Sequence, residues 1–261
     1  MNEFLAREKN VQIAPGHWSD SENMTCKQRI GKWIFSWSPI TRFLLDQIRF
    51  ELRAGQVRME NLLLPWHRWR LRNLRKESDL RANVACGPHV LDEFVNLDLY
   101  RTRPKVVTWD CRRRLPFGDN AVKGIRVEQF LEHLECKEEL PAFLRDCLRV
   151  LQPRGVLRII VPDAERFLRA YCRRDVAGFH DLAVPDPFPD DLPTRMDVVN
   201  HIFHQWHEHR WGYDFETLAD RLTRAGFGRV ERMSYQCSVD PLLAQDREQH
   251  SRYSLYVDAV K

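Results

Sequence analysis

The residues of this chain best suited to chemistry are histidines and carboxylates, gathered in a few short stretches. "HIFHQWHEH" holds His201, His204, His207 and His209, and "VEQFLEHL" holds Glu128 and His133. An imidazole changes charge near neutral pH, so it can take a proton from a hydroxyl or ammonium nucleophile. His204, His207 and His209 are the first candidates for such a base, and His133 is the next. Glu128, and Asp163 at the end of "IIVPD", are carboxylate alternatives. Each has a plainer reading. His133 can bond its own loop at a helix start, and Glu128 can cap the helix that follows it. The histidine-rich stretch also has ligand types that suit zinc. Its spacing fits no standard zinc pattern and no cysteine is adjacent, so no metal is assigned.

A second group of residues sits where apolar runs stop. "NVACGPHV" ends a run at Ala85-Cys86-Gly87, and later runs end at Asp98, Asp110 and Glu128. In an open α/β sheet the ligand lies beyond the carboxyl ends of the strands. An acid at the end of the second strand is well placed to accept hydrogen bonds from a ribose diol, which is a nucleoside-binding signal. The loop lacks G-x-G-x-x-G, and Asp98 follows Gly87 by 11 residues, against roughly 20 in a dinucleotide fold. That spacing argues against a nicotinamide-dependent oxidoreductase.

The elements that must position these residues are legible as alternating runs. Strands are expected at 82–85, 94–98, 105–110, 124–128, 155–162, 229–236 and 254–260, and helices at 137–151, 163–174 and 214–227. Asp214 is the expected N-cap and Gly226 the expected C-cap of the last helix. The pattern implies a doubly wound, Rossmann-like α/β fold: a mostly parallel seven-stranded sheet with one antiparallel edge strand. Residues 1–78 read as an N-terminal helical, basic-aromatic extension, and 79–261 as the Rossmann-like domain. That domain carries a lid-type insert at about 175–213, where prolines stop regular structure before a helix resumes near Met196.

The chain also resembles a known family. "NVACGPHVLDEFVNLDL", "VVTWDCRRRLPFGDNAV", "VEQFLEHL", "FLRDCLRVLQPRGVLRIIVPD" and "YDFETLADRLTRAGF" occur in the order found in class I S-adenosylmethionine-dependent methyltransferases, over about residues 80 to 261. The subgroup it most resembles is bacterial and often met near glycan or natural-product biosynthesis genes. The resemblance implies that S-adenosyl-L-methionine is the cofactor. Ala85, Cys86 and Gly87 would cradle its methionine part, Asp98 would hold the ribose, Asp110 and Cys111 would flank the adenine, and Glu128 would lie near the methyl-transfer centre. The implied activity is methyl transfer to a hydroxyl or amine of a small molecule or glycan intermediate. Three positions depart from the family pattern. Ala85 replaces the first glycine of G-C-G, Arg154 the first glycine of P-G-G, and Lys123 a common acid. Alanine fits its place without strain only if its φ is negative. The alternative reading is a non-catalytic scaffold that retains the fold.

Composition sets the outer limits. The net charge of +4 permits an anionic partner without indicating nucleic acid. The basic-aromatic stretch 26–76 could face a peripheral anionic surface or a protein partner. No window approaches a membrane span, and the N-terminus lacks a signal-peptide pattern. Seven scattered cysteines without a C-x-x-C pair read as reduced thiols of a cytoplasmic protein.

Overall fold

A computed structural model describes residues 41–173, 192 and 194–261. Trp33, Phe35 and Trp37 of the extension, and most of the proline-rich part of the insert, lie outside the described residues. The chain divides into two compact units, Met1–Asp46 and Gln47–Lys261. The sheet and the candidate site residues belong to the second.

The elements run α1 (Arg42–Leu63), α2 (Pro65–Leu74), β1 (Leu80–Val84), β2 (Val95–Asp98), β3 (Val106–Thr108), β4 (Val122–Glu128), α3 (Glu139–Val150), β5 (Leu151–Pro162), α4 (Ala164–Arg173), α5 (Arg195–His204), α6 (Phe215–Ala225), β6 (Arg229–Met233) and β7 (Ser254–Val260). The seven strands form one sheet in the order β3-β2-β1-β4-β5-β7-β6. β3, β2, β1, β4 and β5 are parallel, and β7 runs antiparallel to both β5 and β6. One antiparallel strand is therefore present as expected. It lies one position in from the edge, and the edge strand β6 pairs with it. The expected caps of α6 are present: Asp214 accepts from the Thr217 N–H, and Gly226 ends the helix at φ 108°.

Because successive strand residues point to opposite faces, the sheet presents two unlike surfaces. On one, Ala82, Val84, Leu97, Ile125, Val127, Leu157, Ile159 and Val257 meet Leu140, Leu144 and Cys147 of α3 and Leu218 and Leu222 of α6. These helices bury apolar stripes at helical spacing, which is why they pack there.

The other surface is polar and equally buried. Asn83, Asn96, Arg126, Arg158 and Asp258 are at most 1% exposed. The links 85–94 and 99–105 join parallel strands without a helix among their residues, although such crossovers ordinarily need a dozen or more residues and a helix. Side-chain amides take the place of the first helix. Asn83 Nδ2 donates to His89 O (2.7 Å) and Asn96 Oδ1 (3.0 Å). Asn96 in turn accepts from Leu91 N and donates to Leu91 O and Phe94 O. These bonds satisfy loop backbone groups that burial would otherwise penalise.

Segment 234–253, between β6 and β7, covers the remainder of this polar surface. Arg158 donates to Asp246 (2.8 and 2.5 Å), to Asp258 (3.0 Å) and to the Cys237 and Ser234 carbonyls. Leu243 of the segment sits directly above β4. A Cβ on Gly124 would lie 3.0 Å from Leu243 Cδ2, so glycine there permits the close approach.

Candidate active site

The carboxyl edge of β1, β2, β3 and β4 brings together the sequence-predicted cofactor residues. Ala85 has φ 53° and Gly87 φ 51°. Both lie in the left-handed region, so Ala85 does not have the negative φ that an unstrained alanine needs. A side chain in this region costs roughly 1–2 kcal/mol. Asp98 fixes the loop. Its Oδ2 accepts from the Gly87 N–H at 2.8 Å and its Oδ1 from the Tyr100 N–H at 2.8 Å. The Thr102 hydroxyl donates to Gly87 O at 2.7 Å. A carboxylate offers about four acceptor positions, so Asp98 keeps capacity for two hydroxyl donors. Cys86 and Cys111 are buried; burial pushes the Cys86 thiol up to about 12 and the Cys111 thiol well above its ordinary value. Both are packing thiols rather than nucleophiles.

Asp110 is buried on the far side of β2 and is held by two arginines. Arg112 Nε lies 3.1 Å and Arg58 Nε 3.3 Å from its carboxylate. Arg112 also pairs with Glu51 at 2.5 Å and stacks over Phe50 at 4.8 Å. α1 thus supplies part of the wall beside the third strand, and Asn61 Nδ2 donates to Thr108 O at 3.0 Å. A cleft of about 230 Å³ opens there, lined by Arg58, Asn61, Leu71, Trp109 and Asp110 among others. Trp109 Nε1 is buried and has no hydrogen-bond partner among the described residues.

Glu128 occupies the end of β4, inside a buried charged group instead of at a helix cap. Arg126 donates to it, and His250 Nδ1 lies 2.7 Å from its other oxygen. Burial raises its pKa, but the His250 hydrogen bond and the Arg126 charge outweigh this and hold it at about 2. Arg126 and His250 were not among the sequence candidates. An arginine inside a strand expected to be buried on both faces was the available signal for the first; nothing in the sequence around His250 marked it. Asp163 pairs with Arg232 at 2.9 Å.

The histidines separate into two groups. His204 and His207 are exposed, whereas His209 is buried and His133 half-buried. The His133 and His209 rings meet edge-on with centroids 5.0 Å apart. Burial lowers the pKa of both, that of His209 to about 4. Glu132, beside His133, is 1% exposed, and burial lifts its carboxyl to about 8. In the sequence Glu132 is one acid within "LEHL", and no spacing there sets it apart.

Residues 90–159 match the family model described as "Methyltransferase domain". No curated protein sequence matches the chain. Among solved structures, the chain is similar to an S-adenosylmethionine-dependent methyltransferase from Archaeoglobus fulgidus (16% identity, TM-score 0.42, covering 81% of this chain and 99% of that one). It is also similar to the Burkholderia thailandensis 1,6-didemethyltoxoflavin-N1-methyltransferase, solved with 1,6-didemethyltoxoflavin and S-adenosylhomocysteine (13%, TM-score 0.40, covering 92% of each chain). The match over residues 90–159 is to a methyltransferase domain, and the sheet order is that of a Rossmann-like fold. The site's residues fit S-adenosylmethionine, the cofactor that the sequence resemblance implies. Gly87 has open space where a Cβ would stand, Asp98 retains acceptor capacity, and Trp109 holds an unused buried donor.

Proposed function

We propose that the protein transfers the methyl group of S-adenosylmethionine, by in-line displacement, to a hydroxyl or amine of a small molecule or glycan intermediate. The observation that carries this reading is the strapping of the left-handed Ala85–Gly87 loop onto Asp98. The cofactor supplies an activated methyl group on a sulfonium, so the protein's main tasks are positioning and proton removal. In this reading Ala85, Cys86 and Gly87 line the methionine part through their backbone. Asp98 accepts from the ribose hydroxyls with its remaining lone pairs. Trp109, Asp110 and Cys111 flank the adenine, and Glu128, fixed by Arg126 and His250, borders the reacting end. Calorimetry with S-adenosylhomocysteine tests this. Asp98→Ala should weaken binding by tenfold or more, and a wild-type protein that binds NAD but neither form of the cofactor would overturn it.

A histidine acts as the base. His204, the last residue of α5 and exposed, can meet an incoming acceptor, whereas His133 and His209 each have one ring nitrogen on a backbone carbonyl. His204→Ala should lower kcat on the acceptor about a hundredfold while leaving cofactor affinity unchanged; unchanged turnover would remove His204 from the mechanism.

Residues 1–78 act as an extension of the transferase domain at 79–261, with α1 walling the cleft beside Asp110 and α2 offering a further surface. Leu62, Leu63, Trp66 and Trp69 are exposed beside Arg68, Arg70 and Arg72. This mixture suits an anionic lipid surface. No helix among the described residues is long and apolar enough to cross a membrane, so contact would be peripheral, from the cytoplasmic side. Sedimentation with phosphatidylglycerol vesicles should carry down the wild type but not Trp66→Ala/Trp69→Ala; equal sedimentation would remove the lipid role.

A further inference from the structure

We propose that Glu132, His133 and His209 form a binding site for one divalent transition-metal ion of the zinc class. One ligand atom from each side chain lies within 4.8 Å of the other two. Glu132 and His133 are consecutive on the turn Leu131–His133 after β4. His209 arrives from the far side of the insert, just after the turn that ends α5.

Three independent features prepare these side chains as ligands. His133 Nδ1 lies 3.0 Å from Glu208 O, and His209 Nδ1 lies 2.7 Å from Ile202 O. A carbonyl oxygen only accepts, so Nδ1 carries the hydrogen in both rings and each Nε2 keeps a lone pair. That is the tautomer and the second anchoring bond expected of a metal-ligating histidine. Next, Glu132 is 1% exposed and neither of its carboxylate oxygens has a hydrogen-bond partner among the described residues. A buried carboxylate without donors calls for a cation or a proton. Finally, the backbone already holds the two segments together, because Glu132 O accepts from Arg210 N at 2.7 Å and from Trp211 N at 3.2 Å.

The donor set decides the class of ion. Two imidazoles and one carboxylate suit zinc and its neighbours, whereas calcium and magnesium prefer oxygen ligands. Three protein ligands leave a fourth position open, as in zinc sites that take water or a substrate atom. In such a site the ligand atoms sit roughly 3.5 Å apart, so modest side-chain rotation closes the set. The site differs from the one that "HIFHQWHEH" suggests. His209 alone of that run takes part, and its partners come from 76 and 77 residues earlier in the chain. The proposal does not depend on the identity of the methyl acceptor or on His204 as base.

The test uses the full chain, stripped with a chelator and titrated with Zn²⁺ in competition with a chromogenic chelator. The expected result is one equivalent bound by the wild type, with Co²⁺ giving the intense visible bands of a four-coordinate site. His209→Ala and Glu132→Gln should each weaken binding about tenfold or more, and His204→Ala should leave it unchanged. Half-buried His133→Ala provides a third ligand deletion should either buried variant fail to fold, as judged by near-UV circular dichroism. The proposal is overturned if the wild type takes up no stoichiometric metal, if folded ligand variants bind as tightly as the wild type, or if His204→Ala weakens binding as much as they do.

Discussion

The two faces of the sheet reach the same degree of burial by opposite chemistry. The face under α3 and α6 is closed by aliphatic side chains, and the other by Arg126, Arg158, Asp246, Asp258 and two asparagines. The apolar face derives its stability from area removed from water, and its packing tolerates small changes of shape. The polar face depends on every partner being present, because a buried charge left alone costs more than the pair contributes. The loop after β1 belongs to the polar side, since Asn83 and Asn96 secure its downstream end.

This contrast can be broken most severely at Arg158. Arg158→Met leaves Asp246 and Asp258 buried without their counter-charge, and chemical denaturation should show a loss of about 3–5 kcal/mol. Adding Asp246→Asn should recover part of it, a recovery that no purely apolar packing defect would allow. On the opposite face, Leu144→Ala should cost about 2–4 kcal/mol as a simple cavity, with no rescue by a charge change.

Acid sharpens the comparison further. Glu128 has a folded-state pKa of about 2, below its ordinary value of 4.5. Its contribution is therefore complete above the unfolded value and is lost as pH falls from there toward 2, a change on the order of 3 kcal/mol. Thermal melts from pH 6 to pH 2 should show this for the wild type, and Glu128→Gln should flatten that part of the profile. The smallest effect concerns the loop. Ala85→Gly should raise stability by about 1 kcal/mol by relieving the positive φ, with cofactor affinity retained. A loss of stability would show that the half-buried methyl group contributes more than the strain costs.

Much of this architecture was legible in the sequence, and the exceptions have physical reasons. Apolar runs mark the inner strands, because burial on both sides makes a parallel strand stand out. β5 nonetheless starts at Leu151, earlier than expected, since Arg154 at φ 68° sits within an irregular strand start that hydropathy does not mark. The helix at Arg195–His204 appears near Met196 as the end of the prolines implied. Asp98 and Gly87 were found because a strand end and a small residue leave a local trace. The approach of His209 to Glu132 and the pairing of Glu128 with His250 leave none. They join residues 77 and 122 positions apart, and only the folded chain brings them together.

The link from β1 to β2 has a last consequence for ligand choice. In a dinucleotide fold the first strand runs into a helix whose amino end presents a partial positive charge to the pyrophosphate. Here residues 85–94 form no helix, and the loop faces Asp98 instead. The carboxyl edge at this loop therefore lacks the positive helix end on which a pyrophosphate rests. A sulfonium cofactor has no need of that charge, whereas a pyrophosphate would have to bind without it.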